Sequence, residues 1–146
     1  MVKRQHHSGF SVADLERTVR FYGEGLGLEV ASRIHGPKDY HGTMTGYPVC
    51  HLEVAFMSIP GGPPVEFIQY VEPEGEPLDM ETCRPGNGHI ALVVDDIEAV
   101  LQKLVALGGS PRSAEPVTIP SGPNKGARAI YVRDPDGITV ELYQLD

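Results

Sequence analysis

Four residues of types that bind metal ions or move protons come in a repeated arrangement in this sequence. His7 opens HSGFSV and Glu66 lies in VEFIQY; His89 opens HIALVV and Glu141 lies in VELYQL. Imidazole nitrogens and carboxylate oxygens together suit a borderline divalent ion such as Zn, Ni, Co, Mn or Fe. Two carboxylates would cancel the charge of the ion, and an octahedral ion with four protein ligands keeps positions for water or substrate. A carboxylate in such a set can also detach and act as a general base. Glu66 and Glu141 stand inside apolar runs, where an unpartnered carboxylate is costly to bury. His7, Glu66, His89 and Glu141 are therefore the candidate metal ligands, with Glu66 and Glu141 also the candidate proton acceptors.

The arrangement recurs because the chain itself does. HHSGFSVADLERTVRFYGEGLG (6–27) returns as GHIALVVDDIEAVLQKLVALGG (88–109), with His7 on His89 and Gly27 on Gly109 at a constant offset of 82. VEFIQY returns as VELYQL with Glu66 on Glu141 at an offset of 75, so the second copy has lost seven residues in between. A repeat of this length is architecture. Each copy begins as a short strand and then changes period after an Asp that can cap a helix, Asp14 or Asp96. Leu15, Val19, Tyr22 and Leu26 fall on one helical face, and Ile97, Leu101, Leu104 and Leu107 on the equivalent one. Gly27 and Gly108–Gly109 end the helices. CHLEVAFMSI and ARAIYVRD read as strands, followed by the turn signals PGGPP and DPDG.

Each copy is thus one β-α-β-β-β unit, and the class is α+β. The reading is a single domain over 1–146, with module 1 at about 5–72, a linker at about 73–87 and module 2 at about 88–146. Two such units are expected to pair into an open, cup-shaped mixed sheet with the helices outside. The stretch IHGPKDYHGTMTGYP (34–48) is expected as loop at the mouth.

Alternation along strands sorts side chains by face. It places Ser11, Ile68 and Tyr70 with His7 and Glu66, and Val93 and Tyr143 with His89 and Glu141, as a largely apolar lining for a small-molecule substrate. His6, one residue off, is sent to the opposite face and set aside. His35, His41 and His51 have no repeat partner and read as loop or rim residues, His51 being the first candidate to touch a ligand.

The 146 residues, 40% hydrophobic, suffice for a real core. A net charge of −8 argues against nucleic acid or an anionic membrane as the main partner. Cys50 and Cys83 make no disulfide framework, MVKRQHHSGF is not followed by an apolar leader, and no stretch reaches membrane-spanning length. The expectation is a soluble, cytoplasmic protein.

HHSGFSVADL, GHIALVVDDI, VEFIQY and DPDGITVELYQ, set in repeated β-α-β-β-β modules, resemble the vicinal oxygen chelate superfamily over about His7 to Gln144. That superfamily includes glyoxalase I, epimerases, extradiol dioxygenases, fosfomycin-resistance transferases and bleomycin-binding proteins. Having both Glu66 and Glu141 is most similar to the glyoxalase I pattern, with the epimerases close by. The resemblance implies a divalent-metal-dependent lyase, isomerase or epimerase. Its substrate would be a small chelating carbonyl or hydroxy compound, deprotonated by Glu141 to an enediolate. It also implies a homodimer, and a role for Lys125 in closing the site, since GPNKGARAIYVRDPDGITVEL is similar to the glyoxalase loop and last strands. Ser11 and Tyr70 depart from the pattern that contacts glutathione, which points to a substrate other than the glutathione adduct. The alternatives are an Fe(II) extradiol-type dioxygenase and a non-catalytic antibiotic-binding protein.

Overall fold

A computed structural model describes residues 1–145 of the protein and divides the chain into two compact units, Met1–Pro77 and Leu78–Asp146. The first unit runs β1 (Ser8–Ser11), α1 (Leu15–Leu26), β2 (Glu29–Ile34), α2 (Asp39–Thr45), β3 (His51–Ser58) and β4 (Val65–Glu72). Its sheet has the order β1-β4-β3-β2, with β1 parallel to β4 and the other pairs antiparallel. The second unit runs β5 (His89–Val93), α3 (Ile97–Ala106), β6 (Ser110–Pro111), β7 (Val117–Thr118), β8 (Arg128–Arg133) and β9 (Thr139–Gln144). Here the order is β5-β9-β8-β6, with β5 parallel to β9 and β7 also paired to β8. Mixed sheets with helices make this an α+β fold, with the repeated module evident in each unit.

The same contacts build both helix starts. The first amides of a helix have no partner inside it. The Asp14 carboxylate accepts from the Arg17 amide at 3.0 Å, and the Asp96 carboxylate from the Ala99 amide at 2.9 Å. A second orphan amide is met from the far end of the module. Leu15 N–H donates to Gln69 Oε1 at 2.9 Å, and Ile97 N–H donates to Gln144 Oε1 at 2.9 Å. The strand ladders end alike, with Val12 N–H on Ile68 O at 2.9 Å and Val94 N–H on Tyr143 O at 2.7 Å. Each helix is thereby pinned to the strand that carries the acidic residue.

One sheet face in each unit is closed by its helix. Ala55, Met57, Val65 and Phe67 are fully buried, and the Tyr22 ring lies 4.4 Å from that of Phe67. The buried stripe of α1 is Leu15, Thr18, Phe21, Tyr22 and Gly25, while Val19 and Leu26 are only half-buried at its margin. Two adjacent aromatic rings occupy the centre of the contact and rotate the stripe away from the one that apolar spacing suggests. In the second unit Ile97 and Leu104 are fully buried, as are Val132, Val140 and Leu142 in the sheet.

The extra seven residues of the first copy fall between the end of α1 and β3, the stretch that holds α2. The expectation of loop there is corrected for residues 39–45, which form a helix. It lacks a side-chain N-cap and has no long apolar periodicity, so its sequence gives little sign of it. What marks it in the structure is the tight turn that follows it. Gly46 ends it at φ 81°, and Gly42 lies so close to the Tyr47 carbonyl that a Cβ would stand 2.8 Å away. No helix among the described residues is long and apolar enough to cross a membrane.

Gln69→Ala and Gln144→Ala, each stranding one helix amide, should each lower stability by about 1–2 kcal/mol. Urea unfolding followed by circular dichroism measures this, and losses within error of zero would show that solvent serves these amides equally well.

Candidate functional site

On β4, Glu66, Ile68 and Tyr70 face away from α1, together with Leu52, Val54 and Phe56 of β3. Gly9 stands opposite Glu66 and Ser11 opposite Ile68 in the parallel ladder. His7 immediately precedes β1, and its Nε2 lies 3.2 Å from Glu66 Oε2, with side-chain exposures of 34% and 15%. The edge of the Phe56 ring closes on this imidazole with a centroid distance of 5.5 Å. Gly9 leaves the room: a Cβ there would stand 3.1 Å from Glu66 Oε2.

The second unit repeats the arrangement. Ala91 stands opposite Glu141 and Val93 opposite Tyr143. His89 Nε2 lies 3.2 Å from Glu141 Oε2. Tyr131, opposite Glu141 on β8 as Phe56 is opposite Glu66 on β3, has its ring 5.3 Å from that of His89. Each unit therefore pairs one imidazole with one carboxylate on the sheet face its helix leaves open.

The spacing fits metal ligation. Two donor atoms about 2.1 Å from one ion, at right-angled or tetrahedral positions, stand about 3.0–3.4 Å apart. A direct charge-assisted N–H···O bond is shorter, about 2.7–2.9 Å. Elsewhere in the first unit two imidazoles make such bonds: His35 Nδ1 is 2.8 Å from Glu53 Oε2, and His51 Nε2 is 2.9 Å from Glu53 Oε1. Nitrogen and oxygen donors at 3.2 Å suit a borderline divalent ion in chemistry as well as in distance. Among the described residues these donors come as pairs; no group of three or more His, Cys, Asp or Glu forms a ready cage.

The two pairs differ in their polar support. Tyr143 hydrogen-bonds Glu141, and this bond, followed by the Glu141 charge and burial, pushes the phenol above its usual range. Asn124, next to Lys125, also hydrogen-bonds Tyr143, while Lys125 itself is exposed on the loop. The position equivalent to Tyr143 in the first unit is Ile68, which has no hydroxyl. Burial pushes Tyr131 up, helped by the Glu141 charge. Tyr70 is raised by burial first, then by Cys50, Tyr47 and Glu66, and packs with Ile68 against Cys50, Leu52 and Val54. Val93 is 67% exposed.

His51 and His6 both make contacts that the sequence reading did not assign to them. His51 does not join Glu66; its partner Glu53 faces the other side of the sheet, level with Gln69. A register irregularity between His51 and Leu52 breaks the alternation there. His6, expected on the opposite face, lies against His7, with the two Nδ1 atoms 2.7 Å apart. Both residues precede the β1 ladder, so strand alternation does not govern them. The adjacent His-His pair was the only signal the sequence offered. His41, expected at the rim, is buried, at 1% exposure.

An α+β module used twice, with an imidazole–carboxylate pair on each open sheet face, defines a small family of possibilities. The chain belongs to the Glyoxalase/Bleomycin resistance protein/Dioxygenase superfamily, whose profile matches residues 4–142. It is 30% identical to the lactoylglutathione lyase of Haemophilus influenzae, over 94% of this chain and 90% of that one. It is 27% identical to a 2-epi-5-epi-valiolone epimerase from an Actinomyces species, over 96% and 78%. A glyoxalase family protein from Bacillus cereus shares the fold, with a TM-score of 0.82 at 21% identity over 99% and 95% of the two chains.

The His35–Glu53–His51 clasp gives a pH test. The hydrogen bond from His51 is the main cause that holds the Glu53 carboxyl at about 2, against an ordinary 4.5; bonds from the Gly36 amide and His35 add to it, while burial opposes them. A depressed carboxyl contributes stability that is present above its unfolded pKa and lost as pH falls toward the folded one. Stability should therefore drop between about pH 4.5 and pH 2. Glu53→Gln should flatten the profile in that window, as read by denaturant unfolding at a series of pH values.

Proposed function

We propose that the protein is a divalent-metal-dependent enzyme of the glyoxalase type, a lyase, isomerase or epimerase acting by proton transfer on a small carbonyl or hydroxy compound. The observation that carries this reading is the same His–Glu pair, at the same 3.2 Å, on the open face of both units. His7 and Glu66 are the ligand candidates of the first unit, and His89 and Glu141 those of the second. When bound, the ion would polarise a carbonyl oxygen and stabilise the negative charge left as the α-proton departs.

The chain's own residues supply the rest. The Glu141 carboxylate takes the proton from the carbon beside the carbonyl and can return it to that carbon or its neighbour. The Tyr143 phenol, pushed above its usual range by the neighbouring Glu141, is the candidate to steady that carboxylate. Ile68, Tyr70 and Val93 offer apolar surface to the body of the substrate, and Ser11 and Tyr143 offer hydroxyls. Lys125, exposed on its loop, is the candidate to meet an anionic substituent. The reading includes a homodimer, because Val105 and Val117, at 47% and 59% exposure, leave apolar surface for a second copy to cover.

Metal analysis of protein purified without added metal, followed by assays with and without oxygen on 2-hydroxy carbonyl compounds, tests the class. Oxygen-independent turnover is expected, while oxygen-dependent turnover with iron would establish a dioxygenase. Glu141→Gln should lose about a hundredfold or more in kcat while keeping much of the metal; full activity would remove Glu141 from the role of base. His7→Ala and Glu66→Ala should lose metal. Light scattering is expected to give twice the chain mass, and a monomer at all concentrations would refute the dimer.

A further inference from the structure

We propose that His6 is a positioning residue that sets the tautomer of His7 and so leaves His7 Nε2 ready to bind an ion. This rests on the reading of His7 as a ligand. The two imidazoles meet edge to face, centroids 5.0 Å apart and planes at 82°, with their Nδ1 atoms 2.7 Å from each other. Nitrogens this close share one proton: one Nδ1 carries it and the other offers a lone pair.

Two assignments are possible in principle, and they differ at the far side of His7. If His6 donates, the neutral His7 ring has its proton on Nε2, which cannot then ligate. If His7 donates, its Nε2 is bare and presents a lone pair beside Glu66 Oε2. The 3.2 Å separation supports the second assignment, being longer than the imidazole–carboxylate bonds of 2.8 and 2.9 Å made to Glu53 in the same unit. Two lone pairs at that distance, one on a carboxylate, make a place for a cation. Phe56 restrains the His7 ring, and His6 decides which nitrogen is bare. A bond to the second ring nitrogen is the usual means of fixing a ligating imidazole.

Here the repeat is broken. The residue equivalent to His6 in the second copy is Gly88, which has no side chain to offer His89. In the first unit the added support goes to the imidazole, and in the second it goes to the carboxylate through Tyr143.

The test uses the full chain, as wild type, His6→Gly and His6→Gln. Long-range 1H–15N spectra of metal-free protein read the tautomers, and competition with a chromophoric chelator reads Zn2+ affinity. The wild type should show His7 protonated on Nδ1. His6→Gly should move that proton toward Nε2, leave the His89 signals in place, and weaken Zn2+ by about tenfold or more. His6→Gln, whose amide oxygen can accept the same proton, should recover most of both. His7 protonated on Nε2 in the wild type, or a tautomer unchanged in His6→Gly, would overturn the proposal. So would His6→Gln behaving like His6→Gly, which would assign the effect to lost ring packing. Should His7→Ala leave Zn2+ affinity unchanged, the ligand reading fails, while the metal-free spectra still decide what His6 does to His7.

Discussion

A parallel pair of strands cannot be closed by a tight turn, and each unit of this protein is organised around one such pair. Its first strand lies beside its last, β1 beside β4 and β5 beside β9, so the chain between them must travel out and back. In the first unit α1, β2, α2 and β3 make that journey, and in the second α3, β6, β7 and β8. The parallel pairing also brings a histidine at the start of the module alongside a glutamate near its end. Without it, His7 and Glu66 would be 59 residues apart in sequence (66 − 7) and unrelated in space.

The Gln69 and Gln144 side chains make this pairing specific. A helix amide left without a partner needs an acceptor, and in both units the acceptor comes from the strand that carries the glutamate. Register follows from that bond together with the ladder-ending bonds of Val12 and Val94. A slip of one residue would turn Glu66 toward Phe21 and Tyr22, and Phe67 toward water. Apolar burial on one face thus enforces the placement of polar groups on the other.

Duplication need not make the two copies equal. Gly9 and Ala91 keep space beside the acids in both copies, and Phe56 and Tyr131 place aromatic rings against both imidazoles. Beyond that core the copies diverge. Position 68 is isoleucine where position 143 is tyrosine, and position 6 is histidine where position 88 is glycine.

The repeat, the module order, the helix caps at Asp14 and Asp96 and the four ligand-type residues were all legible in the sequence. They are written in periodicities and residue types that depend only on near neighbours along the chain. The helix at 39–45 was not, because seven residues without a side-chain N-cap are too few to show a helical period. The rotation of the α1 stripe was not, because two adjacent aromatic rings compete for one place over Phe67. Nor were the contacts of His51 and His6, which lie where the strand ladder is irregular or has not begun, so that alternation loses its force. Local periodicity determines which elements form and which residue types they carry. Which side chain meets which, at an irregular strand end or across 59 residues of chain, is decided only when the packed faces fix the register.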